Sequence, residues 1–186
     1  MARMNSWALA ALMVAAAAAG IELAMGRSPF CPCGHFALWH GIVQSNENSQ
    51  QLTDWYSFSH IIHGFLLYGA AWLLLRGASL PARLFAAVSI ESAWEVLENS
   101  PVIIDRYRAV TMAYGYSGDS VLNSMSDIAC MAIGFVLARA LPWWATVVIA
   151  VLLELFTLAA IRDNLTLNVL MLVAPSAAIR AWQTGA

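Results

Sequence analysis

The sequence contains no lysine and few charged residues of any kind. Charged residues make up 11% of its 186 positions, and all nine basic residues are arginines, which stand singly or as the neighbours Arg106 and Arg108. Soluble domains carry about 25% charged residues, so this composition argues against an ordinary water-soluble domain. The absence of any basic tract also argues against nucleic-acid binding.

Hydrophobic residues make up 61% of the chain and are concentrated in six stretches. A spanning helix needs about 20 mostly apolar residues, and each stretch approaches that length. The stretches are residues 7–25, 58–75, 81–104, 121–141, 143–161 and 165–182. Acidic residues in the third and fourth stretches lower their hydropathy and the last is interrupted by Pro175, so five spans is the alternative count. The sequence predicts an all-α, polytopic transmembrane helix bundle of about six spans.

The segments between the spans suggest one domain and an orientation. The long connections, 26–57 and 105–119, fall on one predicted face, and the short turns fall on the other. Five arginines lie on the short-turn side and four on the long-loop side, which favours the short-turn side as cytoplasmic. We therefore expect a single transmembrane domain over residues 1–186, with two outer-face loops at 26–57 and 105–119 and both termini in the cytoplasm.

The N-terminal stretch has a second interpretation. Arg3 followed by an Ala-rich run is also typical of a secretory signal peptide. The apolar run continues through Ile21, Leu23 and Met25, which favours an anchor that is retained.

Three predicted spans carry ionisable residues at helical spacing, although such residues cost at least about 2.5–3.5 kcal/mol each in a membrane. The polar positions lie three, four, seven or eight residues apart, so each helix has one polar stripe. They are His60 and His63 in the second span, Glu91, Glu95, Glu98 and Asn99 in the third, and Asp119, Asn123 and Asp127 in or just before the fourth. Because the second and fourth spans begin and the third ends at the outer face, the three stripes fall at one depth.

Imidazoles and carboxylates that converge between helices form metal sites in helix bundles. This ligand chemistry suits Zn, Mn or Fe better than Mg or Ca. The sequence predicts such an ion, held by His60, His63, Glu95 and Glu98. The Glu and His spacing of di-iron bundles is absent. The alternative is a polar network whose members satisfy one another and stabilise the bundle.

The pair Cys31 and Cys33 lies in the first long loop, followed by His35. The Cys-x-Cys spacing differs from the Cys-x-x-Cys of zinc and thioredoxin-like sites. Outside the cytoplasm a disulfide or a tight turn is favoured. Two alternatives are open: the pair binds a metal, or it has neither role.

Several motifs resemble a known family. They are Cys31-x-Cys33-Gly34, Trp39-His40-Gly41, Ser49-Gln50, Asp54-Trp55-Tyr56, Ser59-His60-x-x-His63-Gly64, Trp94-Glu95-x-x-Glu98-Asn99-Ser100-Pro101, Asp105-Arg106-Tyr107-Arg108 and Gly118-Asp119-Ser120-x-x-Asn123-Ser124-x-x-Asp127. Together they are similar to an uncharacterised family of proteobacterial multi-pass inner-membrane proteins, a domain of unknown function. The resemblance implies a bacterial inner-membrane location and the importance of these positions, and it names no reaction.

A more distant similarity is to VanZ-like proteins. Those proteins combine an early Asp and His with a later Glu, an Arg and an Asp-x-x-x-Asn pattern, an order that this chain matches with Asp54, His60, Glu95, Arg106, Asp119 and Asn123. The Asp-to-His spacing is longer here and a second His is added. The similarity therefore transfers no activity.

These observations support two hypotheses of different classes. The first is a metal-dependent hydrolase or transferase acting at the outer leaflet on a lipid or lipid-linked head group. Its base or additional ligand would be Asp119 or Asp127, with Asp105 and Asp119 in a metal-free variant, and its substrate contacts would be Arg106, Arg108, Asn123 and Asn99. The second is a non-catalytic protein that binds a head group or assembles with a membrane complex or as a homo-oligomer.

Overall fold

The computed structural model describes residues 6–112 and 115–185, and Arg3 lies outside them. This part of the chain forms eight α-helices and no strand. The helices are α1 Ser6–Ala24, α2 Ser57–Leu74, α3 Leu80–Glu98, α4 Pro101–Val110, α5 Val121–Ala140, α6 Trp143–Ile161, α7 Leu165–Val173 and α8 Ala177–Thr184. The all-α prediction is confirmed for the described residues.

Four of these helices, α1, α2, α5 and α6, are long and apolar enough to cross a membrane. This finding is consistent with a membrane protein, and the predicted count of six spans is not confirmed. The third predicted span ends early, because Pro101 follows an extended Ser100 and starts the separate helix α4. Helix α3 is also 19 residues long, but it carries Arg83 and three glutamates, which make it polar for a lipid-facing span.

Helices α2 and α5 form the centre of the bundle, and α3 packs against α1, α2 and α5. The core between them contains Met131, Phe135, Val88 and Ile128, all buried. Small residues allow helix backbones to approach closely, and Gly64 of α2 lies directly against Met131 and Gly134 of α5. Glu91, Ser92 and Glu95 of α3 are buried, because this face of the helix packs against its neighbours.

The last predicted span, 165–182, is two short helices that form a hairpin. Helix α7 has 9 residues, which is about 14 Å at 1.5 Å per residue and too short to cross a bilayer core of about 30 Å. The chain turns at Ala174 and Pro175, since proline disfavours a helical conformation in the residue before it. Two side chains fix the start of α7: Asn164 accepts a hydrogen bond from Leu167 N at 2.8 Å, and Glu154 accepts from Leu165 N at 3.0 Å.

The hairpin separates the two ends of the described chain. Gln183 at the end of α8 donates to Asp163 Oδ1 at 3.0 Å, so α8 returns to the end of the bundle from which α7 left. The start of α1 lies at the opposite end, where Trp7 contacts Phe85 of α3 at 5.4 Å between ring centroids. The two ends of the described chain therefore lie at opposite ends of the bundle.

The two long connecting segments meet at one end of the bundle. Ser120 N donates to Ser49 O at 3.0 Å, and Gln50 Nε2 donates to Gly118 O at 2.7 Å. The second segment is partly helical, because α4 continues to Val110. Cys31 and Cys33 form a disulfide within the first segment.

Candidate functional site

The starts of α2 and α5 and the end of α3 enclose a cavity of about 70 Å³. Its polar side includes His60 and His63 from α2, Glu98 from α3 and Asp127 from α5. Its opposite wall is formed by the hairpin helix α7. The three polar stripes of the sequence therefore meet at one position in the fold.

Glu91 is the shared partner of the two histidines. Its Oε1 atom lies 2.7 Å from His60 Nδ1 and 2.9 Å from His63 Nδ1. His60 and His63 are one helical turn apart on α2, which turns both rings toward the same point of α3. Three potential ligand atoms are thus brought within 4.8 Å of one another.

Glu95 lies one turn further along α3 and is completely buried, with 0% of its surface exposed. Neither of its carboxylate oxygens makes a hydrogen bond, and His60 Nδ1 lies 3.5 Å from Glu95 Oε1. Buried polar groups are nearly always hydrogen-bonded. The lack of such a bond beside an imidazole makes Glu95 a candidate ligand for a cation.

Glu98, the fourth predicted ligand, lines the cavity and has other partners. The side chains of Trp94 and Tyr107 lie close to its carboxylate. His60, Glu95 and Glu98 also form a second group whose ligand atoms lie within 4.8 Å of one another. The four predicted ligands thus fall into two groups that share His60: one joins it to His63 and Glu91, and the other joins it to Glu95 and Glu98.

The two predicted bases, Asp119 just before α5 and Asp127 within it, are held by hydroxyl and amide groups. Asp127 accepts a hydrogen bond from Ser57 Oγ at 3.1 Å and has its other oxygen 3.8 Å from His60 Nε2. Asp119 accepts from Tyr116 OH at 2.9 Å and from Asn99 Nδ2 at 3.0 Å. Both aspartates line the cavity.

Asp119 lies in the loop before α5, outside the helices that are apolar enough to span. Burial raises the pKa of its carboxyl to about 7, whereas the hydrogen bonds from Tyr116 and Asn99 lower it. Burial removes a carboxylate from water and so disfavours its charged form. A carboxyl that titrates near neutral pH is suited to accept and release a proton.

The other predicted site residues make contacts outside the cavity. The guanidinium of Arg106 donates to Leu172 O at 2.8 Å, and that of Arg108 donates to Tyr116 O. Asp105 has a side chain that is 74% exposed. Asn123 donates to Gln51 O at 2.9 Å and so ties the first long segment to α5.

The model of a protein family described as "Protein of unknown function (DUF2585)" matches residues 22–185. This chain belongs to the DUF2585 family. It is 60% identical over 181 residues to a UPF0314 protein of Sphingopyxis alaskensis, covering 97% of this chain and 96% of the relative. It is 55% identical over 179 residues to the UPF0314 protein R03235 of Rhizobium meliloti, covering 96% and 91%. No solved structure matches the chain.

Membership in DUF2585 confirms the resemblance to an uncharacterised proteobacterial family. The more distant similarity to VanZ-like proteins receives no support from these matches. The relatives' names give no reaction, so the chemistry has to be argued from the cavity.

Several residues in or beside the cavity of this DUF2585 protein are absent from the predicted site. Glu91 belongs to the polar stripe of α3, yet spacing alone did not distinguish it from Glu98 as the partner of the histidines. Tyr56, Tyr107 and Tyr116 also line the cavity. Two of the three occur in the family-like motifs around residues 54–56 and 105–108, and this was the signal that could have identified them.

Proposed function

We propose that this protein binds a divalent metal ion between α2 and α3 and uses it to hydrolyse or transfer the head group of a lipid or lipid-linked substrate. The observation that carries the proposal is the convergence of His60 Nδ1 and His63 Nδ1 on Glu91 Oε1, within 2.9 Å. Ligand atoms of a tetrahedral zinc ion lie about 3.3–3.6 Å apart, since each is about 2.0–2.2 Å from the metal, so an ion would replace these two hydrogen bonds and move the three atoms slightly apart. Glu95 would complete the ligand set.

The charges around the cavity also favour a cation. Three glutamates of α3 and the aspartates Asp119 and Asp127 surround two imidazoles, and no arginine lines the cavity in the described part of the chain. Uncompensated buried carboxylates are costly. A divalent ion would compensate two of these charges, and the mixture of nitrogen and oxygen ligands suits Zn, Mn or Fe.

A metal in this position would supply an activated water molecule. Bound zinc lowers the pKa of water to about 7, and Asp119 or Asp127 would orient that water or take its proton. Arg106 and Arg108 donate to backbone carbonyls in this structure, and Asp105 is exposed. The proposed chemistry therefore does not depend on these three residues.

The shape of the cavity supports a substrate with a polar head and an apolar tail. Leu165, Val169 and Leu172 of α7 form an apolar wall opposite the histidines and carboxylates. A volume of about 70 Å³ admits a small head-group fragment or a few water molecules, since one water occupies about 30 Å³ in the liquid. The tail would lie along α7.

Elemental analysis of the detergent-purified protein tests the metal. We expect near-stoichiometric Zn, Mn or Fe in the wild type and in His35→Ala, whose imidazole lies in the first long segment, and its loss in His60→Ala and Glu95→Gln. All variants must remain monodisperse. Absence of metal from the wild type after incubation with Zn, Mn and Fe would overturn the proposal.

The second candidate function is non-catalytic binding of a head group or support of a membrane complex. The observation that favours it is the set of hydrogen bonds by which the polar residues satisfy one another, such as Asn99 to Asp119 and Ser57 to Asp127. Incubation of the metal-loaded protein with a proteobacterial polar lipid extract separates the two functions. Release of head groups by the wild type, and loss of this release in Asp119→Asn and Asp127→Asn, supports the enzymatic function. Lipid that binds without turnover supports the second candidate.

A further inference from the structure

The first long segment connects the candidate spans α1 and α2. Although it lies outside the spans, it exposes apolar side chains. Phe36, Leu38 and Ile42 are 61%, 68% and 63% exposed, and Trp39 is 42% exposed. Residues 36–42 contain no Asp, Glu, Lys or Arg. A contiguous exposed apolar group of this kind marks an interaction surface.

The position of these side chains is fixed by the backbone. Leu52 N donates to Ala37 O at 3.2 Å and His40 N donates to Thr53 O at 2.9 Å. The indole of Trp55 donates to Gly41 O at 3.0 Å. Residues 37–41 therefore run alongside residues 52–55, immediately before α2, and their exposure is a property of an ordered segment.

An aromatic cluster sets the depth of the segment relative to the helices. Trp39 lies 5.2 Å from Trp55 and 5.9 Å from Phe58, measured between ring centroids. Phe58 lies 5.8 Å from Phe156. Phe58 belongs to the first turn of α2 and Phe156 to the last two turns of α6, so Trp39 is level with the ends of two candidate spans.

The same cluster joins the segment to the apolar outer surface of α6. On that helix Leu152, Leu155 and Phe156 are 58%, 55% and 52% exposed. In a bilayer this surface contacts acyl chains, because α6 is long and apolar enough to cross. The exposed side chains of residues 36–42 continue that surface past the end of the helix.

We propose that residues 36–42 lie in the interfacial layer of the bilayer, with Trp39 at the head-group level and Leu38 and Ile42 in contact with the upper acyl chains. Tryptophan is enriched at membrane interfaces because its ring is apolar and its N–H is polar. The lack of charge allows the segment to enter this layer without the cost of desolvating an ion. The occupant of this surface is lipid, as its continuity with α6 indicates.

Spin labelling at single cysteines tests the inference independently of any metal. In a Cys130→Ala background with the loop disulfide intact, nitroxides are placed by Leu38→Cys, Ile42→Cys and, as a control on the exposed polar part of the same segment, Asn46→Cys. Each protein is reconstituted in phosphatidylcholine vesicles. For each nitroxide, the rate of collision with oxygen, which partitions into lipid, is compared with the rate of collision with a water-soluble nickel chelate.

We expect the ratio of oxygen to nickel accessibility to be several-fold higher at positions 38 and 42 than at position 46. Equal ratios at the three positions would place the segment in water and overturn the inference. Low accessibility to both reagents at 38 and 42 would indicate cover by protein, either a second copy or another partner, and would overturn it as well.

Discussion

Gly64 of α2 lies against Gly134 of α5 with no room for a side chain on either. A Cβ atom on Gly64 would overlap the carbonyl oxygen of Met131, and one on Gly134 would overlap the carbonyl oxygen of Ile61. This contact lies one turn from His60 and sets the separation of α2 and α5. The close approach therefore holds His60 near Asp127, whose Oδ2 is 3.8 Å from His60 Nε2.

Gly64→Ala and Gly134→Ala are expected to destabilise the bundle. The added methyl group must push backbone aside, and overpacking of this kind costs about 1–3 kcal/mol or more. Gly69→Ala is the matched control, because the same helix has open space there. Thermal unfolding in dodecyl maltoside should show lower midpoints for the first two variants only. Equal midpoints for all three would mean that α2 and α5 do not pack as described.

Glu91→Gln should weaken metal binding more than Glu98→Gln. Glu91 lies within 2.9 Å of both imidazoles, whereas Glu98 is grouped with only one of them, His60. Changes around metal ligands reduce affinity by about 10–100-fold, so we expect at least about a tenfold loss for Glu91→Gln. Competition with a fluorescent zinc chelator measures it. A larger loss for Glu98→Gln would instead favour the ligand set predicted from the sequence.

Reporter fusions should place the C-terminus on the same side as the first long segment. The reason is that Gln183 is bonded to Asp163 and Tyr56 OH donates to Asp163 at 3.2 Å. Fusions after Gly185 and within residues 43–46 should give one result, and a fusion in the turn at 77–79 should give the opposite one. A C-terminus on the side of the 77–79 turn would restore the prediction of a sixth span.

Asp163→Asn should change how stability depends on pH. Burial raises the pKa of Asp163 to about 6, and the hydrogen bonds from Asn164, Tyr56 and Gln183 only partly oppose this. The folded protein thus holds this proton more tightly than the unfolded chain. The stabilisation it gives is complete below about pH 4 and is lost as pH rises to about 6, on the order of 3 kcal/mol in total.

The measurement is the free energy of unfolding between pH 4 and pH 7 for wild type, Asp163→Asn and Asp105→Asn. The free energy of unfolding of the wild type minus that of Asp163→Asn should fall as pH rises through this window and become constant above it. Asp105 has a side chain that is 74% exposed, so its variant should parallel the wild type. A constant difference for Asp163→Asn at every pH would contradict the assigned role of burial.

The spacing of polar residues in the sequence predicted which helix faces carry the site. His60 and His63 on one face of α2 and the glutamates on one face of α3 follow from helical periodicity. Periodicity does not determine which glutamate stands opposite the histidines, because that depends on the rotation and height of α3 in the bundle. Packing of α3 against three other helices decided in favour of Glu91.

The tyrosines of the cavity were harder to predict for a similar reason. Tyr107 lies on α4, whose residues are divided by hydropathy between the third predicted span and the loop after it. Tyr116 lines the cavity and donates to Asp119, three residues further along the chain. Such positions depend on loop conformation, which hydropathy does not encode.

The sequence by itself determined that the chain is helical and largely apolar, and that its ionisable residues are grouped on three helix faces. These properties are local, since they depend on composition and on the 3.6-residue period of the helix. The tertiary structure alone decided that Glu91 joins the two histidines, that residues 165–182 form a returning hairpin, and that the two ends of the described chain lie apart. Each of these depends on which surfaces pack together and on the hydrogen bonds between distant segments, such as Gln183 with Asp163.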